Sequence, residues 1–346
     1  MVEVAVIGAA GYAGIEAVRL VLGHPSLRLA LATSAADAGK PVAAVYPALA
    51  GTTDLVFSAP SVDAIAAKAS VALLAVPHTA ALEFVPALLE RGITVIDMSA
   101  DYRLTDPRVY EAWYGTAHSS PELLGDAVFG LPELDRTRLP GARLVACPGC
   151  YPTATTLAAL PALQSGRATG TRIVVDAKSG VSGAGRSVGA GSHYVNVNEA
   201  VAPYKVGCHR HTPEMEQALS VAAGRELSVI FTPHLVPMSR GLLSTVYIDV
   251  EDGLTTSDAV ELYRSRYRGE PFVHVHDEGV MPSTSEVRGT NRASIGVMVD
   301  PRTNTLVAAC AIDNLGKGAA GQAAQCLNAV LGYPETDGFD RPGPVV

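Results

Sequence analysis

A cysteine and two histidines carry the clearest chemical potential in this chain. Cys150 stands in Cys147-Pro148-Gly149-Cys150-Tyr151-Pro152-Thr153, between a β-type run and a helical pattern. A thiol at a helix N-terminus has a lowered pKa and acts as a nucleophile once deprotonated. Pro148 and Gly149 predict a sharp, rigid turn that presents Cys150 in a crevice. Two other readings stand beside this one: a C-x-x-C redox pair with Cys147, and a merely buried thiol. A four-cysteine zinc site would need a second C-x-x-C, which is missing. The histidines lie in Cys208-His209-Arg210-His211-Thr212-Pro213-Glu214, with Thr212 suited to cap a helix and Pro213 to open it. A lone histidine is usually structural, whereas two within three residues at a helix start suit acid–base chemistry. His-x-His also binds zinc, but no complementary cysteine or acidic pair has fitting spacing, so no metal is expected.

Two arginines are candidates for holding an anion. Arg103 follows the run Ser99-Ala100-Asp101-Tyr102 at a strand end, where ligands gather in open α/β sheets, and a guanidinium grips an oxyanion with two donors. Arg240 lies in 233–241, PHLVPMSRG. For both, a surface ion pair is an equal alternative.

A glycine loop follows the first β-type run: Gly8-Ala9-Ala10-Gly11-Tyr12-Ala13-Gly14. Strand, glycine loop and helix form the context that a dinucleotide requires. Gly8 allows the turn, Gly11 lets backbone approach a pyrophosphate, and Gly14 permits close helix–strand packing. A Gly-rich turn without ligand is the bland alternative. An NAD site would place an acid about 20 residues past the glycines. Here the second strand ends in Thr33 and Ser34, with Asp37 late and Lys40 near, which leans towards a 2′-phosphate and NADP. A second loop, 179–186 (SGVSGAGR), either shapes a cofactor or substrate pocket or is a flexible turn.

The elements that must position these groups change character midway. Runs at 4–7, 27–33, 71–76, 94–98 and 143–146 read as strands, with helices over 11–22 and 79–90 between them. Such alternation predicts a parallel sheet covered on both faces. Beyond Cys150 a helix is predicted from near Thr153 and another from Pro213. The strand runs there are 172–177, 229–232, 243–250, 273–276, 293–299 and 305–312, which predict a mixed or antiparallel sheet. The last helix, over 319–331, is suited to return to the first domain, and the tail from Tyr333, rich in Pro, Gly and Asp, reads as a surface extension. The fold class is therefore α/β, a Rossmann-type domain followed by an α+β domain.

Composition sets outer limits. Of the 346 residues, 48% are hydrophobic and 17% charged, enough to build sizeable cores and far from a disordered chain. A net charge of −8 without a dense basic stretch argues against nucleic acid as partner. Five cysteines on a long chain suit a reduced, cytoplasmic protein better than a disulfide framework, and no signal peptide is expected with Glu3 in the first apolar run. The uncharged stretch 144–166 holds Pro148, Pro152 and Pro161, so it reads as buried wall around a site, not as a membrane span.

Taken together, GAAGYAG (8–14), DMSADYRL (97–104), PGCYPTA (148–154), SGVSGAGR (179–186), HRHTPE (209–214), PHLVPMSRGLLSTVY (233–247) and DNLGKGAAGQA (313–323) resemble the N-acetyl-γ-glutamyl-phosphate reductases, over nearly the whole chain and in that family's order. The aspartate-semialdehyde dehydrogenases look like more distant kin. The resemblance implies a nucleotide domain over 1–149 and 315–346 and a catalytic, oligomerising domain over 150–314. It implies NADPH as cofactor, an acyl phosphate as substrate, and a homodimer or homotetramer. It also implies a Cys150 thioester. The glycine loop, with Tyr12 and Ala13, would hold the pyrophosphate, and Ser34 would face the 2′-phosphate. Pro77 and His78 would line the cofactor groove, Ser182 and Gly183 would lie near the nicotinamide, and Asn314 would close the pocket. His209 or His211 would be the acid/base, tuned by Glu214, and Arg103 or Arg240 would hold the leaving phosphate. Where this family usually has Asn, the chain has Cys147, which suggests a reversible Cys147–Cys150 link under oxidation. A reductase of a carrier-linked or longer acyl phosphate, an aspartate-semialdehyde dehydrogenase, and a non-catalytic NADP-binding redox sensor are the other functions considered.

Overall fold

The structure, a computed structural model, describes residues 1–187, 189, 192–339 and 343. The chain divides into two compact units, one made of Met1–Pro148 and Ala319–Pro342, the other built on Gly149–Gly318.

The first unit carries a six-stranded sheet of β1 (Val2–Ile7), β2 (Leu27–Ala32), β3 (Val71–Leu74), β4 (Thr94–Asp97), β5 (Val128–Phe129) and β6 (Leu144–Ala146). Its order is β2-β1-β3-β4-β6-β5 and every pairing is parallel. Strands buried on both faces read as unbroken apolar runs, and β3 (VALL) is buried throughout. Alternation along β1 sends Val4 and Val6 into one core and Ala5 and Ile7 into the other. The helices of this unit are α1 (Tyr12–Leu22), α2 (Val42–Val45), α3 (Val62–Ala66), α4 (Ala81–Glu90), α5 (Pro107–Tyr114) and α6 (Pro132–Asp135). The helix Gly321–Leu331 contributes Ala323, Ala324, Cys326, Leu327 and Val330 to the Val4/Val6 core, beside Ala17, Val18 and Val21 of α1.

The tail is no free extension. Tyr333 and Phe339 pack on that same core, Asn328 Nδ2 donates to the carbonyls of Glu335 and Asp337, and Glu335 pairs with Arg136. Asn328 supplies local acceptors and donors that a composition reading does not register. Residues 340–342 and 344–346 of the tail lie outside the described residues.

The second unit carries a seven-stranded mixed sheet ordered β11-β12-β13-β10-β7-β9-β8. Its strands are β7 (Arg172–Gly180), β8 (Ala202–Pro203), β9 (Ser228–Val236), β10 (Leu242–Asp249), β11 (Val273–Val275), β12 (Ala293–Asp300) and β13 (Thr305–Ile312). The helices are α7 (Cys150–Gln164), α8 (Tyr194–Val197), α9 (Thr212–Ala223) and α10 (Thr256–Arg266), and Gly321–Leu331 above is α11. One sheet face, with Val175, Phe231, Val246 and Ala308, is buried on the side that α7, α9 and α10 pack. On the other face the register sets Ile230, Val174, Tyr247, Val307 and Met298 side by side across five strands. Ile230 is 49% exposed, Tyr247 38% and Met298 40%. No helix among the described residues is long and apolar enough to cross a membrane.

Helix α7 settles where the thiol sits. It starts at Cys150, three residues earlier than its sequence pattern suggests. Pro152 does not delay it, because a first-turn residue has no intrahelical acceptor for its N–H anyway. All residues from Tyr151 to Leu163 are buried, which is how a helix that is apolar all round must sit.

Candidate active site

Cys150 is the first residue of α7, and Gly149 is its N-cap, with φ −67° and ψ 162°. The thiol residue is partly exposed. Three contacts fix this turn. Glu214, buried on the first turn of α9, accepts the Gly149 N–H on Oε1 at 2.8 Å. A Cβ on Gly149 would stand 2.3 Å from His211 Nε2, so the imidazole lies directly against the glycine. A Cβ on Gly318 would stand 2.7 Å from Cys150 Cβ, so that glycine is required where a second backbone segment backs Cys150. Neither Gly149 nor Gly318 was singled out for this close packing by sequence, since both lie inside motifs whose other residues drew the reading.

The two histidines are not equivalent. The His211 N–H donates to His209 Nδ1 at 3.1 Å. The His209 ring is boxed by Tyr151, Tyr204 and Phe231, with centroids 5.6, 5.5 and 5.2 Å away, and by His211 at 4.8 Å. Tyr204 Oη donates to Tyr151 Oη, and Tyr151 Oη to the His234 carbonyl. Burial above all holds both phenols protonated, raising Tyr204 to about 12 and Tyr151 further. His209 is buried, whereas His211 is half-buried and lies against the Gly149 turn. Glu214, expected to tune a histidine, is seen holding the Gly149 amide.

The anion candidates also separate. Arg103 is no surface ion pair: it is 6% exposed, its Nε donates to the Cys147 carbonyl and its Nη2 to the Met98 carbonyl. It therefore braces the ends of β4 and β6, a role for which the strand-end carbonyls offer ready acceptors. Arg240 pairs through Nε with Asp313 Oδ2 at 2.9 Å and keeps 25% of its side chain exposed. Next to it, Asn314 Oδ1 accepts the Gly241 N–H and its Nδ2 donates to Ser182 Oγ. Asn314 thus ties the Arg240 strap to the 181–184 turn, where Ser182 is half-buried and Gly183 exposed.

Cys147 is fully buried, and its contact with Cys326, followed by burial itself, raises its thiol well above the ordinary value. The buried Cys147 thiol is thus engaged with Cys326. Sequence spacing alone cannot see this, because Cys326 is far along the chain.

In the first unit the glycine loop fits a dinucleotide phosphate on geometric grounds. Gly8 has φ +76°, and a Cβ there would meet the Ala75 carbonyl at 2.3 Å. A Cβ on Gly14 would strike Gly8 O at 2.2 Å. Gly11 is the N-cap of α1 and offers no side chain, leaving the cap position open to an anion. Tyr12 is exposed and Ala13 half-buried in the first helical turn. Ser34 is nearly buried, its Oγ accepting the Asp37 N–H, while Asp37 pairs with Lys40. Pro77 and His78 are exposed past β3, in a loop that Asp101 anchors through the Thr79 and Ala81 amides. Asp97, missed by the sequence reading, is fully buried at the end of β4, and burial lifts its pKa to about 6 against the bonds from Ser99. Among the described residues no group of three or more His, Cys, Asp or Glu side chains is placed to hold a metal.

Known proteins resemble this chain in both halves. Residues 3–142 match the semialdehyde dehydrogenase NAD binding domain, and residues 150–314 the semialdehyde dehydrogenase dimerisation domain. The N-acetyl-gamma-glutamyl-phosphate reductase of Symbiobacterium thermophilum is 49% identical over 345 residues, 99% of each chain. That of Halorhodospira halophila is 49% identical over 341 residues, 98% of each. Among solved structures, aspartate semialdehyde dehydrogenase II of Vibrio cholerae, complexed with ASA, superposes with a TM-score of 0.72 at 17% identity, covering 95% of this chain and 98% of its own. The Candida albicans aspartate semialdehyde dehydrogenase with NADP gives 0.71 at 14% identity, covering 95% and 98%. At such identities the structural likeness speaks for the fold.

Proposed function

Because this chain belongs to the N-acetyl-gamma-glutamyl-phosphate reductase family of semialdehyde dehydrogenases, we propose that it converts N-acetyl-γ-glutamyl phosphate to N-acetylglutamate 5-semialdehyde and phosphate with NADPH, in arginine biosynthesis. The observation that carries this reading is the turn at Gly149–Cys150, where a partly exposed thiol opens a buried helix with an imidazole against its N-cap.

The chemistry follows from that geometry. The N-terminal end of α7 favours negative charge on Cys150 Sγ. Sγ attacks the acyl carbon, an S–C bond forms, and the C–O bond to phosphate breaks. The resulting thioester is a good hydride acceptor, which a free carboxylate is not. NADPH, when bound, supplies the hydride. His211 donates a proton to the developing oxyanion and takes it back as the thiohemiacetal collapses, releasing aldehyde and thiolate. His209 orients His211 by accepting its backbone N–H. Glu214 holds the Gly149 amide, which keeps Cys150 at the helix start. Arg240 holds an anionic group of the substrate, and Arg103 braces the strand ends. The glycine loop, Ser34, Pro77, His78, Ser182, Gly183 and Asn314 are assigned to the cofactor side, with the 2′-phosphate at Ser34.

Purified protein given N-acetylglutamate semialdehyde, phosphate and NADP should form NADPH only when phosphate is present. Cys150→Ser should lose turnover by at least about 10³-fold while binding NADPH as before. Turnover of aspartate semialdehyde instead, or a fully active serine variant, would refute the proposal.

The apolar row Ile230–Val174–Tyr247–Val307–Met298 supports a homodimer, or a tetramer built from it, through the open face of the second sheet. Tyr247→Asp should then sediment as monomer, and an unchanged mass would reject this face. The five cysteines, all unbridged, suit the cytoplasm as the enzyme's compartment; recovery of the protein in another cell fraction would overturn that.

A further inference from the structure

Asp313 directly follows β13 in full burial and gathers five N–H donors. Two come from Arg240, whose Nε lies 2.9 Å from Oδ2 and Nη2 3.1 Å from Oδ1. The other three are the backbone amides of Gly289 at 2.6 Å, Leu315 at 2.9 Å and Gly316 at 3.0 Å. A carboxylate fixed by three amides cannot follow its guanidinium partner. The pair therefore holds Arg240 in place, and not the reverse.

The same residue is tied to the nucleophile. The Asp313 carbonyl accepts the Gly318 N–H at 3.0 Å. Gly318 is the glycine whose absent side chain makes room for Cys150, with a Cβ there 2.7 Å from Cys150 Cβ and 3.2 Å from the Asp313 carbonyl. From the backbone side, Arg240 sits on a strap whose Met238 and Ser239 carbonyls accept the Val181 and Ser182 amides. One aspartate thus joins the turn behind the thiol to one edge of the guanidinium, Nε and Nη2.

We propose that Asp313 is a positioning residue of the reductase. It clamps one edge of Arg240, so that the partly exposed remainder of the guanidinium meets an oxyanion of the substrate at a fixed place relative to Cys150. The ligand chemistry is an oxyanion, either the phosphate or the carboxylate of the acylated amino acid. This inference rests on the reading that Arg240 holds a substrate anion.

The test uses the full-length enzyme in the phosphate-dependent reverse reaction, with KM measured separately for inorganic phosphate and for the semialdehyde. Arg240→Ala should raise one of these KM values by about tenfold or more, the loss of a charge-assisted pair of bonds; which one rises identifies the anion. Asp313→Asn should raise the same KM by a similar factor, with kcat changed less and NADPH binding kept. If Arg240→Ala leaves both KM values unchanged, the reading of Arg240 falls. If Arg240→Ala raises a KM and a folded Asp313→Asn does not, Asp313 is only structural and the proposal is overturned. A second measurement stays informative if Asp313→Asn fails to fold. In Arg240→Ala, added guanidinium should restore activity several-fold more than methylammonium at equal concentration, because only a planar cation matches two carboxylate oxygens. Equal rescue by the two cations would overturn the clamp.

Discussion

Gly149→Ala tests the active-site geometry with one methyl group. The glycine's φ and ψ, −67° and 162°, are open to any residue, so alanine brings no backbone strain there. The Gly149 N–H to Glu214 is also untouched. The methyl would, however, stand 2.3 Å from His211 Nε2 and 2.5 Å from its Cε1. An ordinary contact begins near 3.4 Å, so the ring must retreat by about 1.1 Å, the difference of those two distances. A shift of that size in a proton-transferring group costs about 10²-fold in rate. Folding should suffer far less, about 1 kcal/mol for alanine in place of glycine at an N-cap, since a side chain and not the main chain gives way. Steady-state kinetics of the reverse reaction would be read beside a urea unfolding curve. If kcat falls less than about threefold, or if the stability loss is as large as the activity loss, His211 is not the acid/base and the reasoning fails.

Further outcomes follow from the two buried acids. Asp97 is raised from 3.8 to about 6, so the folded state binds the proton more tightly, and stability should fall as pH rises from about 4 to 6 and then level off. The loss is about 3 kcal/mol at 1.36 kcal/mol per pH unit, and Asp97→Asn should flatten the curve. Urea titrations showing the same stability change from pH 5 to pH 8 in both proteins would contradict the burial cause. Glu214→Ala should cost about 1–3 kcal/mol, the penalty of a buried amide without its acceptor, with Glu214→Gln nearer wild type because its oxygen still accepts. Equal stabilities for the two variants would mean that the Gly149 bond contributes nothing.

Much of the frame was legible in periodicity. Continuous apolar runs located the parallel strands, and β10, β12 and β13 came within a residue of their observed ends. The misses have identifiable physical reasons. The strand Val128–Phe129 is two residues long at the sheet edge, too short to leave a pattern. Helix α10 has few apolar positions and announces itself chiefly through its Thr255–Asp258 capping box. Of the candidate site, the position of Cys150 at a helix start and the closeness of the two histidines were readable from type and spacing. The partners of Arg103, Arg240, Cys147 and Glu214 were not, because each is a contact between residues far apart in sequence, made on backbone groups that every residue possesses. Asp313 lay in a motif already noted, and only its burial beneath a guanidinium distinguishes it from an ordinary strand-end acid.

The placement of α11 sets a timetable for synthesis. The Val4/Val6 core is finished by residues that the ribosome delivers only after the 170 residues from Gly149 to Gly318. At translation rates of roughly 5–20 residues per second that is a wait of about 10–30 s. For that interval the nascent first unit carries a sheet with an uncovered apolar trough over α1, while its other core, around Ala5 and Ile7, is already complete. Transiently exposed apolar surface of this kind is where a multidomain chain is prone to aggregate and where a chaperone would act.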